Sequence, residues 1–269
     1  MRPAIFFLYH CQQCFSSKKS AEGASAAEEE FGITLPGEEL PTEVGLNRFV
    51  WNLHSEAPVT VPGAVGWGGR PEGPLVMPGT YQVKLTVAGK TSTVSFELTK
   101  DPRISASQAD LEKQQELALR IRDRVSAGNE AVNQIRSVRS QADALKKRLA
   151  ADASAKPILD LADALTKKMN AIEEKIIQPK SKSGEDPLNF PIQVADQLVA
   201  LQETVESADT APTAASFTVY EELNARLETQ LTAWHEIQSK DLVALNAAIQ
   251  KANIPAIAPA AEKPEKEGK

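Results

Sequence analysis

The sequence predicts an α+β chain in two parts: a small β-domain over 43–104, then an elongated up-down four-helix bundle over 105–253. Three observations predict it. Apolar and polar residues alternate strictly between Tyr81 and Leu98, the period of a half-buried strand. From Leu111 to Ile249 apolar residues recur mostly every third or fourth position, the period of an amphipathic helix. Pro and Gly clusters separate these stretches and mark turns.

The β-part opens with a strand expected from Arg48, where Phe49, Trp51 and Leu53 alternate with Val50 and Asn52. His54 to Val76 holds many Pro and Gly residues and reads as a long loop. Met77-Pro78-Gly79-Thr80 reads as a type II turn, Pro presetting φ and Gly supplying a positive one. Tyr81, Val83, Leu85 and Val87 then share one strand face, and Val94, Phe96 and Leu98 share the next. Ala88-Gly89-Lys90 connects them tightly. A lone hairpin is not stable in water, so more strands or a packing partner are expected.

Ser107-x-x-Asp110 reads as a capping box opening the first helix. Leu111, Ala118, Val125 and Val132 form one seven-residue track, and Ile121, Ile135, Ala142 and Leu149 a second. This coiled-coil-like helix is expected to reach about Ala151, with Gly128 a candidate break. A second helix starts near Pro157, with the stripe Ile158, Leu161, Leu165, Met169, Ile172 and Ile176. A third carries Val194, Leu198, Leu201 and Val205. A fourth runs from about Thr213 to Asn253 along Tyr220, Leu223, Leu227, Leu231, Trp234, Ile237, Leu242, Leu245 and Ile249. In up-down-up-down order the fourth helix would end where the first begins. Leu245 and Ile249 would then need cover from the β-domain.

Residues 1–42 read as a divergent or disordered segment, and 254–269 as a disordered, charge-rich tail. No run approaches the ~20 apolar residues of a membrane-spanning helix. Met1 to Cys14 makes a poor signal peptide, its apolar run being short with no small-residue cleavage site soon after. A net charge of −6 argues against nucleic acid as the main partner. Cys11 and Cys14 form C-x-x-C, but neither the helix of a redox motif nor a second pair for zinc follows.

The segments GLNRFVWNL (45–53), GPLVMPGTYQVKLTVAGK (73–90), DPR (101–103) and DPLNFPIQVADQLVALQETVESADTAPT (186–213) carry a resemblance. Together they resemble the C-terminal portion of bacterial secreted sialidase-like or sortilin-like proteins. In these a β-propeller of Asp-box (BNR) repeats precedes an Ig/fibronectin-like sandwich and a helical region. Phe15 to Lys19 fits the end of a family strand. The Trp51-Asn52 pair and the Pro78–Tyr81 turn also resemble the Ig-like module of flagellar hook-capping proteins. The resemblance implies that the β-part is an Ig-like β-sandwich and that the protein is extracellular or periplasmic. It also implies a partner β-propeller, in cis or in trans, with glycan or protein as a further ligand class. No S-x-D-x-G-x-T-W Asp-box occurs in this chain, so no glycan-acting residue carries over.

No Ser–His–Asp set, phosphate loop or paired-carboxylate site is recognisable. No catalytic residue, cofactor-binding residue or metal ligand is assigned, and no cofactor is expected. Trp51 and Trp234 sit on apolar stripes and read as core. Glu221 and Glu222 read as helix-surface acids, and His235 as a stripe-edge residue. Trp67, in GAVGWGGRPEG, has no periodic partner and lies near Arg70. These two are the candidate contact residues, since recognition side chains concentrate on loops. The expected function is a non-catalytic accessory module of a larger secreted propeller protein, here lacking its propeller. The alternatives are a glycosyl hydrolase by family membership only, and a free-standing helical adaptor binding protein along an unfilled seam.

Overall fold

A computed structural model describes residues 5–8, 14–17, 40–66 and 71–252. Its sheet comprises β1 (Ile5–Leu8), β2 (Cys14–Ser16), β3 (Gly79–Val87) and β4 (Lys90–Leu98), in the order β2-β1-β3-β4. All neighbours are antiparallel. The long pair β3–β4 registers Tyr81 with Phe96 and Val83 with Val94. Its two-residue turn has φ 49° at Ala88 and 83° at Gly89. Positive φ at both positions suits the twist of a hairpin.

The helices are α1 (Gln108–Leu149), α2 (Lys156–Ile176), α3 (Val194–Val205), α4 (Ala214–Glu236) and α5 (Leu242–Lys251). Ser107 and Asp110 form the expected capping box on α1. α1 runs through Gly128 without a break. A Cβ there would lie 3.2 Å from both Ile176 and Leu227, so this glycine marks a close approach of three helices. A π turn, Ile237–Asp241, joins α4 to α5. It sits where the apolar stripe jumps five residues, from Ile237 to Leu242, and the Leu242 amide bonds back to the Ile237 carbonyl. The extra residue keeps both halves of the stripe in register with the core: Trp234, Ile237, Leu242, Leu245 and Ile249 are all buried.

The expected Ig-like sandwich followed by an up-down four-helix bundle does not form. The protein is mostly helical, and its β-part is one sheet, with no second sheet facing it among the described residues. The strand expected at Arg48 to Leu53 makes no ladder. Leu53 adopts φ 64°, and only an isolated bridge pairs His54 with Leu75. Phe49 and Trp51 instead set their rings against the sheet's side chains, and the chain from Ser55 onward is held on the helices.

The helices also run in an unexpected order. Lys146 meets Asp163, Arg139 meets Asn170, and Gln114 bonds the carbonyls of Val205 and Ala208. α2 and α3 therefore follow one another down α1, both antiparallel to it. Arg120 meets Glu221, Arg124 meets Glu228, and Gln134 accepts from the Trp234 indole. α4 and α5 thus run parallel to α1. The result is three rods, the middle one interrupted between Ile177 and Gln193, not four helices in alternation. Lys168 of α2 pairs with Asp241 at 2.6 Å, so Leu245 and Ile249 lie towards the C-terminal end of α1. The sheet is not needed to cover them: both are fully buried among helices. At the other end Leu111 and Ala118 are buried as well.

Candidate functional site

Two clefts position chemistry, and one of them, through Arg136, borders the segment 55–62 that lies along α1. Ser55, Pro58 and Val61 are buried while Glu56, Val59 and Pro62 are exposed. Burial at every third residue matches the three-residue turn of a polyproline II helix. Its carbonyls at Glu56, Val59, Thr60 and Pro62 accept from Arg122, Asn129, Asn133 and Arg136, at 3.2, 2.6, 3.0 and 2.8 Å. The Val59 amide donates to Ser126 Oγ at 3.2 Å. These five α1 residues recur at spacings of four and three, so they share one helix face. Arg122 to Arg136 rises about 21 Å along the helix, and Glu56 to Pro62 spans about 19 Å as polyproline II. The two repeats therefore stay in step. On the return path Leu75 N donates to Glu206 at 2.7 Å, and Gln202 donates to the Glu72 carbonyl at 3.2 Å. Gly73 is required there, because a Cβ would fall 2.1 Å from the Ser55 carbonyl oxygen.

The first feature is an apolar cleft of about 560 Å³ on the sheet face, lined by Phe15, Leu40, Phe49, Trp51, Val83 and Phe96 among others. The alternation of β3 and β4 makes this face apolar and leaves Thr, Gln, Lys, Ser and Glu on the other. Trp51 packs edge-on to Tyr81 and Phe96, at 5.9 and 6.5 Å between ring centres, and its indole donates to the His54 carbonyl at 2.9 Å. Phe15 lies 4.5 Å from Phe49. Burial raises the Tyr81 phenol above its ordinary range, and its hydroxyl donates to the Met77 carbonyl at 2.6 Å.

The second feature is a polar cleft of about 340 Å³ between α1, the end of α2 and the loop after it. Glu173 is 3% exposed. Arg136 Nε holds one of its oxygens at 2.7 Å, and Arg139 Nη1 holds the other. Asn170, Glu174, Pro179 and Lys182 complete the wall. A buried carboxylate is tolerated when paired and hydrogen-bonded, as here.

Trp67, Arg70 and Cys11 lie outside the described residues, as does 254–269. Within 1–42, residues 5–8 and 14–16 form β1 and β2. Trp234 is core, and Glu221, Glu222 and His235 are exposed. Among the described residues no group of three His, Cys, Asp or Glu is placed to hold a metal ion. No described helix is long and apolar enough to cross a membrane.

No protein-family model, curated protein or solved structure matches the chain. The Ig-like sandwich that the resemblance implied is corrected to a single sheet, and no family match supports the sialidase-like, Asp-box-repeat assignment. Sequence reasoning missed both clefts. The polar one had a faint signal, Arg136/Arg139 on one helix and Asn170/Glu173 on another, each pair three residues apart. The apolar one needs Phe15 and Leu40 brought to β3 and β4, which no local pattern announces.

Proposed function

We propose that this chain is a non-catalytic accessory module, a helical rod that carries a small sheet against a partner domain. The observation that supports this most is the strap. Five side chains of α1 grip main-chain groups of 56–62, and Val61 enters the helical core. Such an arrangement holds the chain leading to β3 at a set place on the rod. It spends the most elaborate polar contacts on positioning rather than on a reacting group. The partner implied by the sequence resemblance is a β-propeller domain, in the same chain or separate. Its contact surface in this reading is the apolar sheet face, where Val87 and Val94 remain 47% and 63% exposed.

Two measurements test the proposal. A glycosidase and peptidase screen of the purified chain should show no turnover, and activity abolished by a point substitution in this chain would overturn it. Titration with a propeller domain from the same source should show saturable binding weakened by Val94→Asp. Binding unaffected by that change would remove the sheet face from the contact.

A further inference from the structure

From the polar cleft we infer a site for a tetrahedral oxyanion, a phosphate or sulfate group. The inference is independent of the accessory role. It rests on donor arithmetic. Glu173, the buried acceptor of the cleft, has both oxygens engaged by Arg136 and Arg139. The donors exceed it. Arg136 uses Nε and Nη1, the latter on the Pro62 carbonyl, and its Nη2 has no partner among the described residues. Arg139 bonds Asn170 Oδ1 and Glu173 through Nη1, leaving Nε and Nη2 without a partner among the described residues. Because Asn170 accepts through Oδ1, its NH2 group is left as a donor. Lys182 Nζ gives one hydrogen to the Pro179 carbonyl at 3.1 Å and keeps two.

These donors are held before any ligand arrives. The Arg136 and Arg139 side chains are 29% and 27% exposed and pinned by Glu173. The Lys182 and Ser183 amides both donate to Asp186 Oδ2, at 2.6 and 3.1 Å, which fixes the loop carrying the lysine. Two guanidiniums, an amide and an ammonium from three chain segments converge on one cleft. A carboxylate offers only two oxygens to such a set; a tetrahedral oxyanion offers three or four, in the directions that forked arginine donors require. The cleft volume admits the anion with a small substituent or waters. The opposing charges at the site are Glu173, whose two oxygens the arginines already engage, and Glu174, which is exposed.

The test is calorimetric titration of the full chain with inorganic phosphate, and separately with phenyl phosphate, at constant ionic strength held by chloride. One saturable site is expected. Lys182→Gln should weaken it about fivefold, the effect of removing one exposed partner charge worth about 1 kcal/mol. Glu174→Gln should tighten it severalfold by removing the competing carboxylate. Both side chains are exposed, and neither holds Glu173, so the fold is kept. Equal or better binding of the ester supports a phosphate group borne on a larger molecule; binding of inorganic phosphate alone supports a free-ion site. Heats no larger than the chloride control, or affinities unchanged in both variants, would reduce the cleft to a structural ion cluster and overturn the inference.

Discussion

Asn129 of α1 donates its side-chain amide to the main-chain carbonyl of Val59 across 2.6 Å, joining positions seventy residues apart. Asn133 repeats the contact one turn later on Thr60. Such bonds tie the strap to the rod without reading its side chains.

The strap should therefore unfold with the helices. Asn129→Ala leaves the part-buried Val59 carbonyl without its partner, at a cost of about 1–3 kcal/mol. Thermal melts followed by helical circular dichroism and by Trp fluorescence should shift together, because Val61 is part of the helical core. Two separated transitions, with the helical one unmoved, would show that strap and rod are uncoupled.

Gly128 should not tolerate bulk. Ile176 Cγ2 and Leu227 Cδ1 already stand 3.2 Å from where a Cβ would sit. Gly128→Val should destabilise by about 1–3 kcal/mol through overpacking, despite valine's better helix propensity. Chemical denaturation of the variant checks this, and wild-type stability would mean that the rods can part locally.

Leu245→Ala should cost about 2–4 kcal/mol, the range for a truncated core leucine. Its neighbours are helical, with α5 packed on α2. Hydrogen exchange should accordingly quicken most in α2, α5 and the end of α1, and least in the β3–β4 hairpin. Faster exchange centred on the hairpin would contradict the rod order described above.

Asp196, in the first turn of α3, is pushed from 3.8 up to about 6 by burial. Between these values the folded chain holds a proton that the unfolded chain has released. Stability from this group is therefore greatest below about pH 4, falls as pH rises to about 6, and is level beyond. Asp196→Asn removes the ionisation and should stabilise the protein at pH 7.5 by up to about 3 kcal/mol. At pH 4 it should change little. Denaturant midpoints at the two pH values measure the difference; an equal effect at both would place its cause elsewhere.

Much of the helical part was legible because its buried face recurs along the chain. Both seven-residue tracks of α1 are buried, and so is nearly every residue of the α2 stripe, with Ala162 taking the place of the half-exposed Leu161. Even the π turn is written as the five-residue step from Ile237 to Leu242. The β3–β4 hairpin was equally plain. The 54–76 segment was not, because its bonds use main-chain carbonyls, which every sequence has, and side chains some seventy residues away. Candidate contacts were sought at Trp67 and Arg70, whereas the two clefts use Phe15, Phe49, Trp51, Phe96, Arg136, Arg139 and Asn170.

By itself the sequence determined the local elements: the capped α1, the two stripes that follow it, the stripe with its inserted residue, and the alternating hairpin. Periodicity reports which face of an element is buried. It does not report what buries it, or in which direction the next element runs. Tertiary structure alone decided that α3 continues in the direction of α2 past a seventeen-residue excursion (177–193), that Arg48 to Leu53 leaves the sheet, and that two arginines close on Glu173. Each of those outcomes depends on contacts between residues far apart in the chain, whose energies appear only when the surfaces meet.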